Sequence, residues 1–239
     1  MKKTFISVVA IAALSFAVVS CGAQNSTKAP AEGEAAAPAS KADVSYAFGV
    51  AVGASLKSTG VELDYGKFLD GVKDLIEKDK TKVTAEEAQQ IIQVALVAQM
   101  QKIAEKNAET EKAFLADNAK KAGVTTLPSG LQYEVLKQGT GPKPLATDTV
   151  KVDYVGTFID GKQFDSSIES GEPAVFPVAL VIPGWVEGIQ LMAVGSKYKF
   201  YVPSALAYGA QGSQGGIEPN TMLVFEVDLL SIEPPSPAQ

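Results

Sequence analysis

Four patterns of apolar and polar positions follow one another along this chain. Residues 5–19 form a predominantly apolar run behind Lys2 and Lys3, and small residues close it at Ser20-Cys21-Gly22. A basic start and an apolar stretch too short to span a bilayer comfortably predict a signal peptide over residues 1–20. Residues 25–42 are rich in Ala, Pro, Ser, Lys and Glu and carry no apolar period, so residues 21–42 read as a flexible linker behind Cys21. From residue 43 the period becomes helical. Val44, Phe48, Val52 and Leu56 recur every four residues, and Gly60 ends the segment. A second helix is predicted after Asp64, a suitable N-cap, with Phe68, Leu69, Val72, Leu75 and Ile76 as its apolar stripe. A third starts at the capping box Thr84-x-x-Glu87 and runs without Pro or Gly to residue 122, with Gly123 as its stop. At 1.5 Å per residue it would be roughly 58 Å long. Its first half carries Ile91, Ile92, Ala95, Ala98 and Ile103, whereas residues 105–112 are almost wholly polar, which predicts a solvated stalk between two bodies.

After Gly123 apolar residues alternate. Leu131, Tyr133 and Val135 face one way and Gln132 and Glu134 the other; Val150, Val152, Tyr154 and Phe158 share the next face. Asp160-Gly161 signals a hairpin. Phe176 falls in a short strand. One short helix is predicted from about Trp185, with Trp185, Ile189 and Met192 on one side and Gly195 as its stop. Tyr198, Phe200 and Val202 alternate up to Pro203, a Gly-rich loop spans residues 209–216, and the final strand places Leu223, Phe225, Val227 and Leu229 together. The plan is α+β: a curled antiparallel sheet wrapped over one short helix, preceded by an all-α arm with a long stalk helix. The expected divisions are a helical arm and stalk at residues 43–123 and a sheet domain at 124–239.

Composition narrows the chemistry. The chain has no histidine, every basic residue is Lys, and Cys21 is the single cysteine. His-based acid–base or metal chemistry, a disulfide framework and bidentate Arg clamps are thereby excluded. The net charge of −6 becomes more negative once Lys2 and Lys3 are removed with a signal peptide, so nucleic acid is not an expected partner. Val18-Val19-Ser20-Cys21 is similar to a bacterial lipobox, and diacylglycerol on Cys21 would supply the two-chain anchor that stable membrane attachment requires. The alternative is an ordinary secretory signal with an incidental cysteine. Gly22, rather than an acid, after Cys21 favours outer-membrane sorting in the cell envelope. Two short helices cannot build a sizeable core alone, so helices from a second copy would complete the arm as a homodimer. A closed intramolecular bundle is the other arrangement.

Five motifs in register lie in the sheet half: Val152-Asp153-Tyr154-Val155-Gly156, Phe164-Asp165-Ser166-Ser167, Val181-Ile182-Pro183-Gly184-Trp185, Ala207-Tyr208-Gly209 and Leu223-Val224-Phe225-Glu226-Val227. Their order and spacing over about 100 residues resemble FKBP-type peptidyl-prolyl cis/trans isomerases. The mature chain as a whole resembles that family's macrophage infectivity potentiator group of lipoproteins. The resemblance implies an isomerase that assists exported proteins by rotating X-Pro bonds in an apolar aromatic pocket, without cofactor or metal. Its partners would be unfolded or Pro-containing polypeptides. It also implies that Tyr154, Phe164, Val181, Ile182, Trp185 and Phe225 line the pocket with Tyr208, with Phe176 and Ile217 as secondary contacts. Trp185 would be the floor, Tyr208 the donor to a substrate carbonyl, and Asp165 an electrostatic group beside the twisting carbonyl. Singly, Phe164, Trp185 and Phe225 read as core and Asp165 as a turn residue. Three departures from the family pattern stand out. Ala174 replaces an aromatic, Ser170 replaces an Arg that can pair with the pocket acid, and residues 211–216 lack loop aromatics. A non-catalytic or weakly catalytic holdase chaperone that binds unfolded clients is the competing function. Because the pocket lies wholly after Leu127, a fragment from Gly123 onward is expected to keep near-full activity on short peptides.

Overall fold

The computed structural model describes residues 39–233. The expected signal peptide, Cys21 and nearly all of the linker lie outside the described residues. The chain divides into two compact units, Met1–Ala51 and Val52–Gln239. The described part of the first is the opening of α1 (Lys41–Thr59), whose Tyr46, Phe48 and Val50 are exposed. The second holds the rest of α1 and everything after it.

The next two helices start where local chemistry dictates. For α2 (Tyr65–Lys78), the Asp64 side chain accepts from the Lys67 backbone N–H. For α3 (Ala85–Asn118), Thr84 and Glu87 each satisfy the other's backbone N–H, a reciprocal capping box. Neither α2 nor the first half of α3 buries its apolar stripe: Leu75, Ile76, Ile91, Ile92 and Val94 are all exposed. Among the described residues no helix is long and apolar enough to cross a membrane.

Strands β1 (Val124–Thr126), β2 (Gln132–Lys137), β3 (Thr149–Thr157), β4 (Gln163–Ser166), β5 (Ala174–Pro177), β6 (Lys197–Val202) and β7 (Leu223–Glu233) form one sheet. Its order is β1-β2-β6-β7-β3-β4, every pairing is antiparallel, and the sheet does not close. Beyond β3 the sheet is split. β5 pairs with residues 149–152 of β3 and β4 with residues 155–157. The short α4 (Ser167–Ser170) follows β4, and α5 (Pro183–Ile189) lies across the concave face. The core between them contains Val150, Val152, Phe200, Val227, Trp185 and Ile189.

Two small residues let α5 approach. A Cβ on Gly184 would lie 2.5 Å from Val202 Cγ1, and one on Gly188 would lie 2.7 Å from Phe200 Cε1. Phe200 has no exposed surface and no room to yield. Gly188→Ala gains up to about 1 kcal/mol of helix propensity but overpacks the core, which typically costs about 1–3 kcal/mol. With three ring carbons crowded the steric term dominates. We expect a net loss of about 2 kcal/mol, seen as a lower denaturant midpoint at unchanged slope.

Three expectations are corrected. The helix expected to run from Trp185 towards Gly195 begins at Pro183, which suits a first helical position, and ends at Ile189. Beyond it Leu191 and Met192 bond back only three residues, and Met192 still reaches the core. Secondly, α3 stops at Asn118 rather than residue 122. Thirdly, residues 105–112 are not a solvated stalk all round. Asn107, Glu111, Phe114, Leu115 and Asn118 share one face of α3, and that face lies on the outer surface of the sheet. Phe114 and Leu115 pack against Tyr201, Met222 and Val224, with the rings of Phe114 and Tyr201 5.8 Å apart. Gln132 therefore points away from the main core and is still buried. Its Oε1 accepts from Asn118 Nδ2 at 3.0 Å, and its Nε2 donates to the Leu115 carbonyl at 2.9 Å.

Candidate active site

The split beyond β3 creates the site. Asp153 and Tyr154 sit between the stretches paired to β5 and β4, so no strand takes up the Tyr154 N–H on that side. Ser167 Oγ accepts it instead, at 2.9 Å, and donates to Asp153 Oδ1 at 3.1 Å. Ser166 caps the turn by accepting from the Ile168 and Glu169 N–H groups. The two serines thus fix the chain immediately after Asp165.

Five aromatic side chains converge there. Trp185, almost fully buried at the start of α5, is the hub. Tyr154 meets it edge-on at 5.3 Å, Phe225 at 5.2 Å and Phe176 at 5.9 Å, and Phe164 meets Phe225 at 5.7 Å. Edge-to-face rings set the positive rim of one π-system against the negative face of another. Val181 and Ile182 pack against the same cluster, and Ile217 is buried within it. Tyr208 makes no ring contact with these side chains, but it lies near enough to Tyr154 to act on its hydroxyl electrostatically. It follows the 3-10 turn Ser204–Leu206, is 42% exposed, and its hydroxyl makes no hydrogen bond among the described residues.

Asp165, on the rim, accepts from the Tyr154 hydroxyl at 2.6 Å through Oδ2 and from the Ser166 N–H through Oδ1. Burial, then the hydrogen bond to Asp165 and its negative charge, push the Tyr154 hydroxyl well above the ordinary tyrosine range. Tyr154 therefore stays a neutral donor. Among the described residues no Lys forms an ion pair with Asp165. The Ser170 hydroxyl, at the position where an Arg was missed, donates to the Ser166 carbonyl.

The sequence motifs contain Ser167 and Gly156 and the strand pattern contains Phe158, but none of the three was expected to have a role at the site. A Cβ on Gly156 would lie 2.8 Å from Phe164 Cζ and 2.9 Å from Phe225 Cε1. Phe158 meets Phe164 at 5.0 Å. The signal for Gly156 was present, because a glycine inside a strand marks close approach.

An aromatic cluster with one rim carboxylate and an unengaged tyrosine hydroxyl can bind and desolvate an amide without moving a proton. The sequence model described as FKBP-type peptidyl-prolyl cis-trans isomerase matches residues 141–230. The one described as the domain amino terminal to FKBP-type peptidyl-prolyl isomerase matches residues 41–135. The chain belongs to this family and is a peptidyl-prolyl cis-trans isomerase. It is 46% identical to the FKBP-type peptidyl-prolyl cis-trans isomerase FkpA of Aeromonas hydrophila, over 90% of this chain and 87% of that one. It is 38% identical to the outer membrane protein MIP of Legionella longbeachae, over 81% and 86%. The crystal structure of FkpA from Escherichia coli aligns with a TM-score of 0.67 at 38% identity, covering 81% of this chain and 97% of that chain. A non-catalytic or weakly catalytic holdase is not favoured by these matches.

Proposed function

We propose that the cluster around Trp185 takes up the proline ring of an X-Pro segment and that Asp165 and Tyr208 act on the flanking carbonyls. The ring geometry centred on Trp185, with the Tyr154–Asp165 hydrogen bond on its rim, is the observation that carries this reading. The barrier to rotation, about 18–20 kcal/mol, comes from amide resonance, which places negative charge on oxygen. A dry aromatic pocket favours the less polar twisted amide over the planar one. Twisting also withdraws charge from the oxygen, so a carboxylate nearby repels the twisted state less than the planar one. In this reading Tyr208 donates its free hydroxyl to a substrate carbonyl. Tyr154, Phe164, Phe176, Val181, Ile182, Ile217 and Phe225 form the walls over a Trp185 floor. A protease-coupled tetrapeptide assay on pocket variants tests it.

The clients would be unfolded exported proteins. We place the chain in the cell envelope, anchored through lipid on Cys21, on the strength of the Ser20-Cys21-Gly22 junction and the likeness to an outer membrane protein. Cys21→Ser is expected to move the protein from the membrane fraction to soluble or precursor forms; unchanged detergent partitioning would reject the anchor.

The uncovered apolar residues of α1, α2 and the first half of α3 support a homodimer through this arm. Large apolar side chains left exposed in such numbers mark an interaction surface. Sedimentation of the mature chain should give twice the monomer mass, and a monomer would reject this reading.

A further inference from the structure

The loop that presents Tyr208 is gripped from outside the sheet, at both ends, by α3. At its start, Glu111 Oε2 accepts from the Ser204 N–H at 2.8 Å. Ser204 opens the turn in which the Ala207 N–H bonds back to the Ser204 carbonyl, immediately before Tyr208. At its end, Asn107 Nδ2 donates to the Pro219 carbonyl at 2.9 Å and to Thr221 Oγ1 at 3.2 Å, with Glu218 Oε2 further off at 3.4 Å. Between them, Asn220 joins helix to loop. Its side chain donates to the Ala104 carbonyl at 3.2 Å, and its backbone N–H donates to the Gly209 carbonyl at 2.9 Å. Asn220 takes the left-handed conformation, φ 52°, that lets one residue make both contacts.

We infer that residues 104–111 of α3 are a positioning element for the isomerase reaction, with Asn107 and Glu111 holding the loop that presents Tyr208. The two side chains are four residues apart, on one helix face, with the loop's ends against them. The Tyr208 side chain is held by no hydrogen bond of its own among the described residues and is 42% exposed. Its place is set by the backbone on either side, and the helix fixes that backbone. A misplacement of about 1 Å at a group acting on the reacting amide is enough to lower the rate severalfold or more. Asn107 and Glu111 touch no substrate in this arrangement; they act through Tyr208. The inference rests on the role given to Tyr208 above.

The test uses the mature chain, with Asn107→Asp, which removes the donor and adds a like charge beside Glu218, and with Glu111→Ala. Each is measured on an X-Pro tetrapeptide in the Tyr208 and Tyr208→Phe backgrounds, together with amide hydrogen exchange at Asn220 and Ser204. Each variant should lower kcat/KM about three- to tenfold with Tyr208 present, and the loss should nearly vanish in Tyr208→Phe, since coupled residues are non-additive. Glu111→Gln keeps an acceptor oxygen and should restore the activity that Glu111→Ala loses. Exchange at the two amides should accelerate in the damaging variants. An equal fold-loss in both backgrounds, or unchanged exchange, would overturn the inference. Failure of the Tyr208 role alone looks different: Tyr208→Phe would keep full activity while Asn107→Asp still accelerated exchange, which would uphold the grip on the loop and reject its catalytic purpose.

Discussion

Asp165→Ala is expected to lower kcat/KM for an X-Pro tetrapeptide about tenfold, equivalent to ~1.4 kcal/mol of transition-state stabilisation. The fold should survive. Asp165 is exposed on β4, and the turn after it keeps its own support from Ser166 and Ser167. The Tyr154 hydroxyl loses its acceptor, but that hydrogen bond is exposed, so water can replace the carboxylate. A variant that unfolds at the wild-type midpoint yet isomerises ten times more slowly separates chemistry from stability. Full activity in Asp165→Ala would remove the carboxylate from the mechanism, and unfolding would assign it to the turn.

Truncation should have the largest effect on stability. A fragment beginning at Gly123 loses Phe114 and Leu115, which cover Tyr201, Met222 and Val224. Burying a large apolar side chain fully contributes about 1.5–3 kcal/mol, so two partly buried ones account for about 3 kcal/mol together. That is a large share of the roughly 5–15 kcal/mol that holds a domain folded. A fragment beginning at Ile103 keeps the docked face of α3 and should unfold at a clearly higher denaturant concentration. Equal midpoints would show that the helix contributes nothing to the sheet. The structure thus argues against cutting at Gly123, although the whole Trp185 cluster lies beyond it.

The reason this was hidden in the sequence is physical. Asn107 and Glu111 interrupt the apolar stripe of α3 where it meets a loop rather than a core, and polar residues on a helix ordinarily read as solvated. Gln132 misled in the same way, because strand alternation reports one buried face and β2 has a second cover. Helix starts were legible because a cap is satisfied within four residues, as at Asp64 and at Thr84 with Glu87. The aromatic cluster was legible only jointly. Trp185 and Phe225 are far apart in sequence and meet at 5.2 Å because the sheet curls over α5, which no single-residue propensity records. The spacing of five motifs carried that information through family resemblance. The split that seats Tyr154 opposite Ser167 was not legible at all, since it depends on where β4 and β5 leave off along β3.

In the proposed mechanism the Trp185 cluster turns X-Pro bonds rather than merely holding them. Exchange spectroscopy on a proline tetrapeptide, with a catalytic quantity of the mature chain, measures this without a coupling protease, while Trp185 fluorescence reports occupancy of the pocket. The expected result is rapid cis–trans exchange that falls about tenfold in Asp165→Ala at matched occupancy. Fluorescence showing a filled pocket while cis and trans signals exchange at the uncatalysed rate would contradict it.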